Sequence, residues 1–294
     1  MDCTECPAGS MCPDGQVAPM TCPSGYFSKA GAHQCEQCPA GYRCTTTAMT
    51  VCSAGTYSLG RATSCTSCPA GFYCPRTDSE PVICPSGYYS TGSTTTCTIC
   101  PAGSSCSQPD ASPSSCSTGE YTYVGDTGCR ECPGGHSCTL NSSPPVACAE
   151  GQYSAYGTAS CSNCNAGYYC PAYAIAQIAC PSGTYQPSGN KVSCKLCEPG
   201  YACSTTTMSA CSSGQYSLGA ATSCTNCPAG HACLNTHSPP SPCPHGWYAS
   251  GTGNTVCTIC PAGSECTETS SSPSSCSSGY YSMAGWTSCI KCPI

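Results

Sequence analysis

The apolar positions that recur along this chain are cysteines and one aromatic, set in polar stretches rich in Ser, Thr and Gly. The cysteine spacing is C-x2-C-x5-C, then seven or nine residues to a fourth cysteine, then twelve or thirteen to the next C-x2-C. Nine full cycles follow one another, from Cys3, Cys6, Cys12 and Cys22 onward, with a period of 30 to 33 residues. A period in that range belongs to a stacked array rather than to one globular domain. Each cycle has two halves that echo each other. The first begins C-P-A-G, as at Cys6–Gly9 and Cys38–Gly41; the second begins C-P-S-G or a variant, as at Cys22–Gly25 and Cys84–Gly87. Pro followed two residues later by Gly predicts a tight turn, with Pro holding φ and Gly free to take φ > 0.

Five residues beyond the fourth cysteine an aromatic stands in every cycle: Phe27, Tyr57, Tyr89, Tyr121, Tyr153, Tyr185, Tyr216, Tyr248 and Tyr281. Its place in the register predicts a ring lying over a disulfide and the next turn, a very small core for each cycle. The cycles are drawn at their first cysteines, giving repeats at residues 1–34, 35–64, 65–96, 97–128, 129–160, 161–193, 194–223, 224–256 and 257–288. Residues 289–294 begin a truncated tenth. Met1-Asp2-Cys3 enters the first cycle directly and Cys292 stands two cysteines into the tenth, so the chain reads as a piece of a longer protein.

Composition explains why cysteine dominates. Leu, Ile, Val and Phe number 21 of 294 residues, far below the roughly 20% of a chain with a packed aliphatic core. Cysteine numbers 38. A mini-domain of some thirty residues buries too little apolar surface to fold on that alone, and cross-links supply the deficit. Such a scaffold persists in an oxidising compartment, which predicts a secreted or cell-surface protein. No apolar run approaches a transmembrane span, and with 8 Lys plus Arg against 14 Asp plus Glu nucleic acid is not expected as a partner.

The same counts argue against other cysteine chemistry. A catalytic dithiol occurs singly, and zinc knuckles come in pairs, whereas each cycle has one C-x-x-C followed by single cysteines. The histidines (His33, His136, His231, His237, His245) fall at different places in different cycles, so no catalytic residue, metal ligand or cofactor site is assigned. Modification is the chemistry expected. Asn141-Ser142-Ser143 is an N-glycosylation sequon, and Ser plus Thr number 79, often beside proline, as O-glycan acceptors.

Pairing remains open between schemes. We favour the fourth cysteine with the first of the next cycle and the second with the third: Cys22 with Cys35, Cys52 with Cys65, Cys84 with Cys97, Cys276 with Cys289, and Cys6 with Cys12, Cys38 with Cys44, Cys68 with Cys74. The alternative pairs first with third and second with fourth. The favoured scheme leaves Cys3 and Cys292 unpaired within the chain, as continuing repeats or bridges between subunits would require.

The segment Cys84 to Gly103, C-P-S-G-x-Y-S-x-x-G-x-x-x-C-x-x-C-P-A-G, resembles the cysteine-rich repeats of ephrin receptors and, more distantly, the modules of tumour-necrosis-factor receptors. Long arrays in large surface proteins of protists look similar. The resemblance implies small disulfide-rich repeats forming an elongated, solenoid-like rod of short β-hairpins and loops with almost no helix. It does not imply one function, because such repeats serve as spacers, stalks and coat components.

A longer period overlies the short one. Cycles two and seven alone have the seven-residue gap and match in Thr45–Thr47 against Thr205–Thr207; cycles four and nine share C-T-I-C-P-A-G-S-x-C at Cys97 and Cys257. The offset is 159 or 160 residues, five cycles. These features predict a glycosylated structural protein that self-associates or packs laterally in an extracellular filament, stalk or coat. The alternative is a receptor or adhesion ectodomain for a protein ligand, with the apolar loop Ala172 to Ile178 as its nearest patch.

Overall fold

A computed structural model describes residues 5–14 and 17–293. Its recurring element is a hairpin of two strands, each of two or three residues. The Pro-x-Gly turn starts it. The Pro7 carbonyl accepts from Ser10 N–H at 3.2 Å, with Gly9 between them at φ 84°, a conformation that costs glycine nothing because it has no Cβ. Strand Ser10–Met11 then pairs antiparallel with Met20–Thr21, and Cys22 N–H closes the hairpin on the Gly9 carbonyl at 2.9 Å. The second half repeats the plan. Tyr26 N–H bonds the Pro23 carbonyl at 3.0 Å, Tyr26–Phe27 pairs with Glu36–Gln37, and Cys38 N–H closes on Gly25 at 2.9 Å. Among the described residues there are 18 two-stranded sheets of this kind and no helix.

The two hairpins of a cycle are stapled differently. In the first, a short bridge joins second and third cysteines six residues apart, as in Cys6–Cys12, Cys38–Cys44 and Cys68–Cys74. In the second, a long bridge joins the fourth cysteine to the next cycle's first, as in Cys22–Cys35, Cys52–Cys65, Cys84–Cys97 and Cys276–Cys289. The long-bridge hairpin therefore crosses each cycle boundary, with Phe27 and Glu36 paired on either side of residues 34 and 35.

Two compact units divide the chain. One comprises Met1–Pro133, Ser137–Val146 and Tyr156–Ser160; the other comprises Gly134–His136, Ala147–Ala155 and Cys161–Ile294. Each has the same interior, made of sulfur rather than aliphatic carbon. In the first unit the short bridges from Cys38–Cys44 onward are buried, with Cys38, Cys100 and Cys132 fully enclosed; in the second Cys164, Cys170, Cys197, Cys227 and Cys260 are. The register aromatic lies on the next short bridge: Phe27 against Cys38 and Cys44, and in the second unit Tyr153 against Cys164 and Cys170, and Tyr185 against Cys197 and Cys203.

One feature of this interior departs from the expected core. Only Phe27 and Tyr185 of the nine aromatics are buried, while the residue after the aromatic is buried in all nine cycles. These residues are Ser28, Ser58, Ser90, Thr122, Ser154, Gln186, Ser217, Ala249 and Ser282. Alternation along a strand accounts for it: when the ring leans outward over the next bridge, its neighbour points inward. The enclosed space between two such small hairpins takes a hydroxyl more easily than a ring.

Candidate functional site

The most organised polar chemistry of the molecule is the joint between one cycle and the next. At the first joint Ser28 Oγ donates to the Ser10 carbonyl at 2.8 Å, the Ser28 carbonyl accepts from Gly9 N–H at 3.1 Å, and Ser28 N–H donates to the Thr46 carbonyl of the following cycle at 3.0 Å. In the second unit Ser217 does the same, with Tyr201, Gly200 and Thr236 as partners at 2.8, 2.9 and 2.9 Å. A buried hydroxyl with every neighbouring backbone group paired meets the requirement that buried polar atoms be satisfied. Cycle six departs from the rule: Gln186 Nε2 donates to the Ser193 carbonyl at 2.8 Å, and its buried Oε1 has no partner in the protein.

A second contact locks the long-bridge hairpins. Arg61 N–H bonds the Cys38 carbonyl at 2.8 Å and sits at φ 53°, which turns its own carbonyl toward Gly25. A Cβ on Gly25 would lie 2.5 Å from that oxygen. The residue at this place has positive φ in all nine cycles: Gly31, Arg61, Ser93, Gly125, Gly157, Asn190, Ala220, Gly253 and Gly285. Four of the nine are not glycine, and each accepts an unfavourable backbone conformation so that the carbonyl fills the space a glycine leaves one cycle before.

The residues singled out for chemistry are dispersed. Cys292 is exposed and unpaired, and Cys3 lies outside the described residues. Cys116 and Cys129 flank Glu120 closely enough to suggest a ligand set, but the two sulfurs are bonded to each other and present no thiolate. Ring nitrogens of three histidines lie against backbone: His33 Nδ1 is 3.3 Å from the Cys12 carbonyl, His136 Nδ1 is 3.1 Å from that of Gly134 and His231 Nδ1 is 3.2 Å from that of Ala229. Arg76 donates from Nε and Nη2 to the two carboxylate oxygens of Asp78, both at 2.8 Å, and this holds the Asp78 carboxyl below its ordinary pKa. Both groups are exposed, so the pair contributes little to stability.

The loop Ala172 to Ile178 has its own conformation. Tyr173 takes φ 60°, its ring lies 5.6 Å from that of His136, and Ala174 is buried and bridges to Tyr153. Tyr173 and Ile175 remain exposed, at 63% and 52%. An apolar cleft of about 320 Å³ in cycle eight is lined by Leu234, Pro242, Pro244, Trp247 and Val256. Asn141 stands half-buried with its carboxamide turned onto cycle four. None of these brings a nucleophile, base and acceptor together.

The buried residue after each aromatic was legible as a signal: a hydroxyl stands there in seven of nine cycles. Its meaning was not, because Ser and Thr fill every exposed loop as well. The chain is a cysteine-rich repeat array of disulfide-stapled hairpins. No protein-family model matches it, and no curated protein is significantly similar to it. No helix is long and apolar enough to cross a membrane among the described residues.

Proposed function

We propose that this protein is structural and extracellular: a disulfide-laddered, glycosylated scaffold in a filament, stalk or surface coat, packing laterally on its own kind or on similar proteins. The observation that carries this reading is the joint. A buried hydroxyl in seven of the nine cycles and a left-handed residue in all nine are committed to contacts between neighbouring hairpins, and little of that machinery faces outward. Tandem repeats with contacts between neighbouring cycles suit load and spacing rather than turnover. The bridges support an oxidising compartment, and the resemblance of Cys84–Gly103 to ephrin-receptor repeats agrees with a cell-surface setting. No catalytic activity forms part of the proposal.

A receptor or adhesion role is the second reading, favoured by the exposed Tyr173 and Ile175 on a loop where Tyr173 takes positive φ. Electron microscopy of the purified, oxidised chain discriminates. Ordered filaments or sheets with a lateral repeat are expected. Dispersed single particles at high concentration, with a soluble ligand whose binding Tyr173→Ser abolishes, would replace the structural reading by the second.

A further inference from the structure

Asn141 heads a sequon, yet its carboxamide is already engaged. Nδ2 donates to the Cys116 carbonyl at 3.0 Å and to the Ser117 carbonyl at 2.6 Å. A carboxamide nitrogen has two hydrogens, and both are used. The backbone carbonyl of Asn141 also accepts from Thr122 N–H at 3.0 Å. Thr122 is fully buried, and its Oγ1 accepts from Gly103 N–H at 2.7 Å and lies 3.2 Å from the Ser104 carbonyl. One residue of cycle five thus grips cycle four at three points: two carbonyls through its side chain and one N–H through its backbone. Pro109 occupies the same register position one cycle earlier, where its carbonyl receives Ser90 N–H at 2.8 Å. A proline side chain has no donor to add, so the double grip belongs to asparagine.

We propose that Asn141 is a clamp between cycles four and five, and that an N-linked glycan at Asn141 and the closed clamp exclude each other. Transfer from a lipid-pyrophosphate oligosaccharide breaks the C1–O bond to the carrier and forms a C1–Nδ2 bond. One Nδ2 proton is released and the lipid pyrophosphate leaves. The single N–H that remains satisfies one carbonyl, and a sugar ring stands where the other met its donor; the loss costs most at the part-buried Cys116 carbonyl and least at the exposed Ser117 carbonyl. Glycosylation therefore takes place before cycle five docks, and an occupied site holds this joint open. The proposal rests on the extracellular reading only for the supply of glycan donor.

The test uses purified full chain produced without glycans, so it stands apart from that reading. Oxidised chain and reduced, unfolded chain are each incubated with an oligosaccharyltransferase and a lipid-linked donor, and occupancy of Asn141 is read by peptide mass. The reduced chain is expected to be modified and the oxidised chain at least about tenfold more slowly, since access requires opening the joint. Equal rates would overturn the clamp. Hydrogen exchange at the Thr122 amide provides the second readout. Ser143→Ala abolishes the acceptor sequence and keeps the carboxamide; Asn141→Asp removes its donors. Exchange about tenfold faster in Asn141→Asp and in the glycosylated chain than in Ser143→Ala is expected, and indistinguishable protection in all three would also sink the proposal.

Discussion

The short-bridge and long-bridge hairpins begin with the same turn, close with the same hydrogen bond, and yet do different work. At Cys68–Cys74 the bridge is buried, and the turn glycine Gly71 faces the side chain of Asp110, 3.2 Å from where its Cβ would be. At Cys84–Cys97 one sulfur partner is partly exposed, and the turn glycine Gly87 faces the Gly125 carbonyl at 2.3 Å. Here both hairpins touch the next cycle, the short-bridge one with an enclosed bridge and against a side chain, the long-bridge one with a partly exposed bridge and against a backbone carbonyl. On the chain-entropy model the short loops contribute about 2 kcal/mol each and the long ones about 3 kcal/mol. The difference is modest, so burial and backbone contact distinguish the two classes more than loop length does.

The glycines offer the strongest test of that division. Gly87→Ala places a methyl group on a backbone oxygen that cannot move without shifting cycle four, and it also forces a side chain to positive φ. A loss of about 3 kcal/mol or more is expected, from clash added to the 1–2 kcal/mol conformational cost. Gly71→Ala meets the Asp110 Cβ at 3.2 Å and its backbone nitrogen at 3.5 Å, a tight contact rather than an overlap with a carbonyl oxygen, and should lose about 1–2 kcal/mol. Thermal unfolding of the two variants, with proteolysis to locate the opened segment, measures the gap. Equal losses would erase the distinction between side-chain and backbone contact.

Reduction sharpens the same comparison. Thiolate attack needs access to a sulfur, so graded dithiothreitol followed by alkylation and peptide mapping should open long bridges first. Cys148–Cys161 and Cys276–Cys289, with both partners partly exposed, are expected to lead. The enclosed pairs Cys164–Cys170 and Cys197–Cys203 should be about tenfold slower or more, because attack on them requires local unfolding. A uniform rate across both classes would mean that the cycles open as whole units.

The smallest expected effect is at the buried position after the aromatic. Cycle eight has Ala249 where seven others have a hydroxyl. Ala249→Ser returns a donor at the register position from which the Ser217 hydroxyl serves the Tyr201 carbonyl one cycle earlier, and should stabilise by about 0.5–1.5 kcal/mol. Ser58→Ala should cost a similar amount by removing the 2.8 Å bond to the Tyr42 carbonyl. Paired melting curves of the two variants check both signs.

Much of this architecture lay open in the residues. Pro7 and Gly9 mark a turn because their backbone preferences are local, and the echo between Cys6–Gly9 and Cys22–Gly25 carries the same hairpin twice. Cysteine spacing left two connectivities open, and the structure has the one with bridges of six and of 13 or 14 residues. The burial of Ser58 beside a half-buried Tyr57, and the turn of Asn141 onto Cys116 and Ser117, were not legible. A serine or asparagine in a polar loop has the same composition whether it faces water or a carbonyl 16 or 25 residues away.

By itself, then, the sequence determined everything that depends on neighbours along the chain: the turns, the period, the stapled hairpin and the need for sulfur where aliphatic residues are scarce. Only the tertiary structure decided which of the many polar residues become interior. Arg61, Ser93, Asn190 and Ala220 are held at positive φ, against their own preference, by contacts one cycle away. Local propensity cannot encode such a position, because the energy that holds it there comes from the adjoining hairpin.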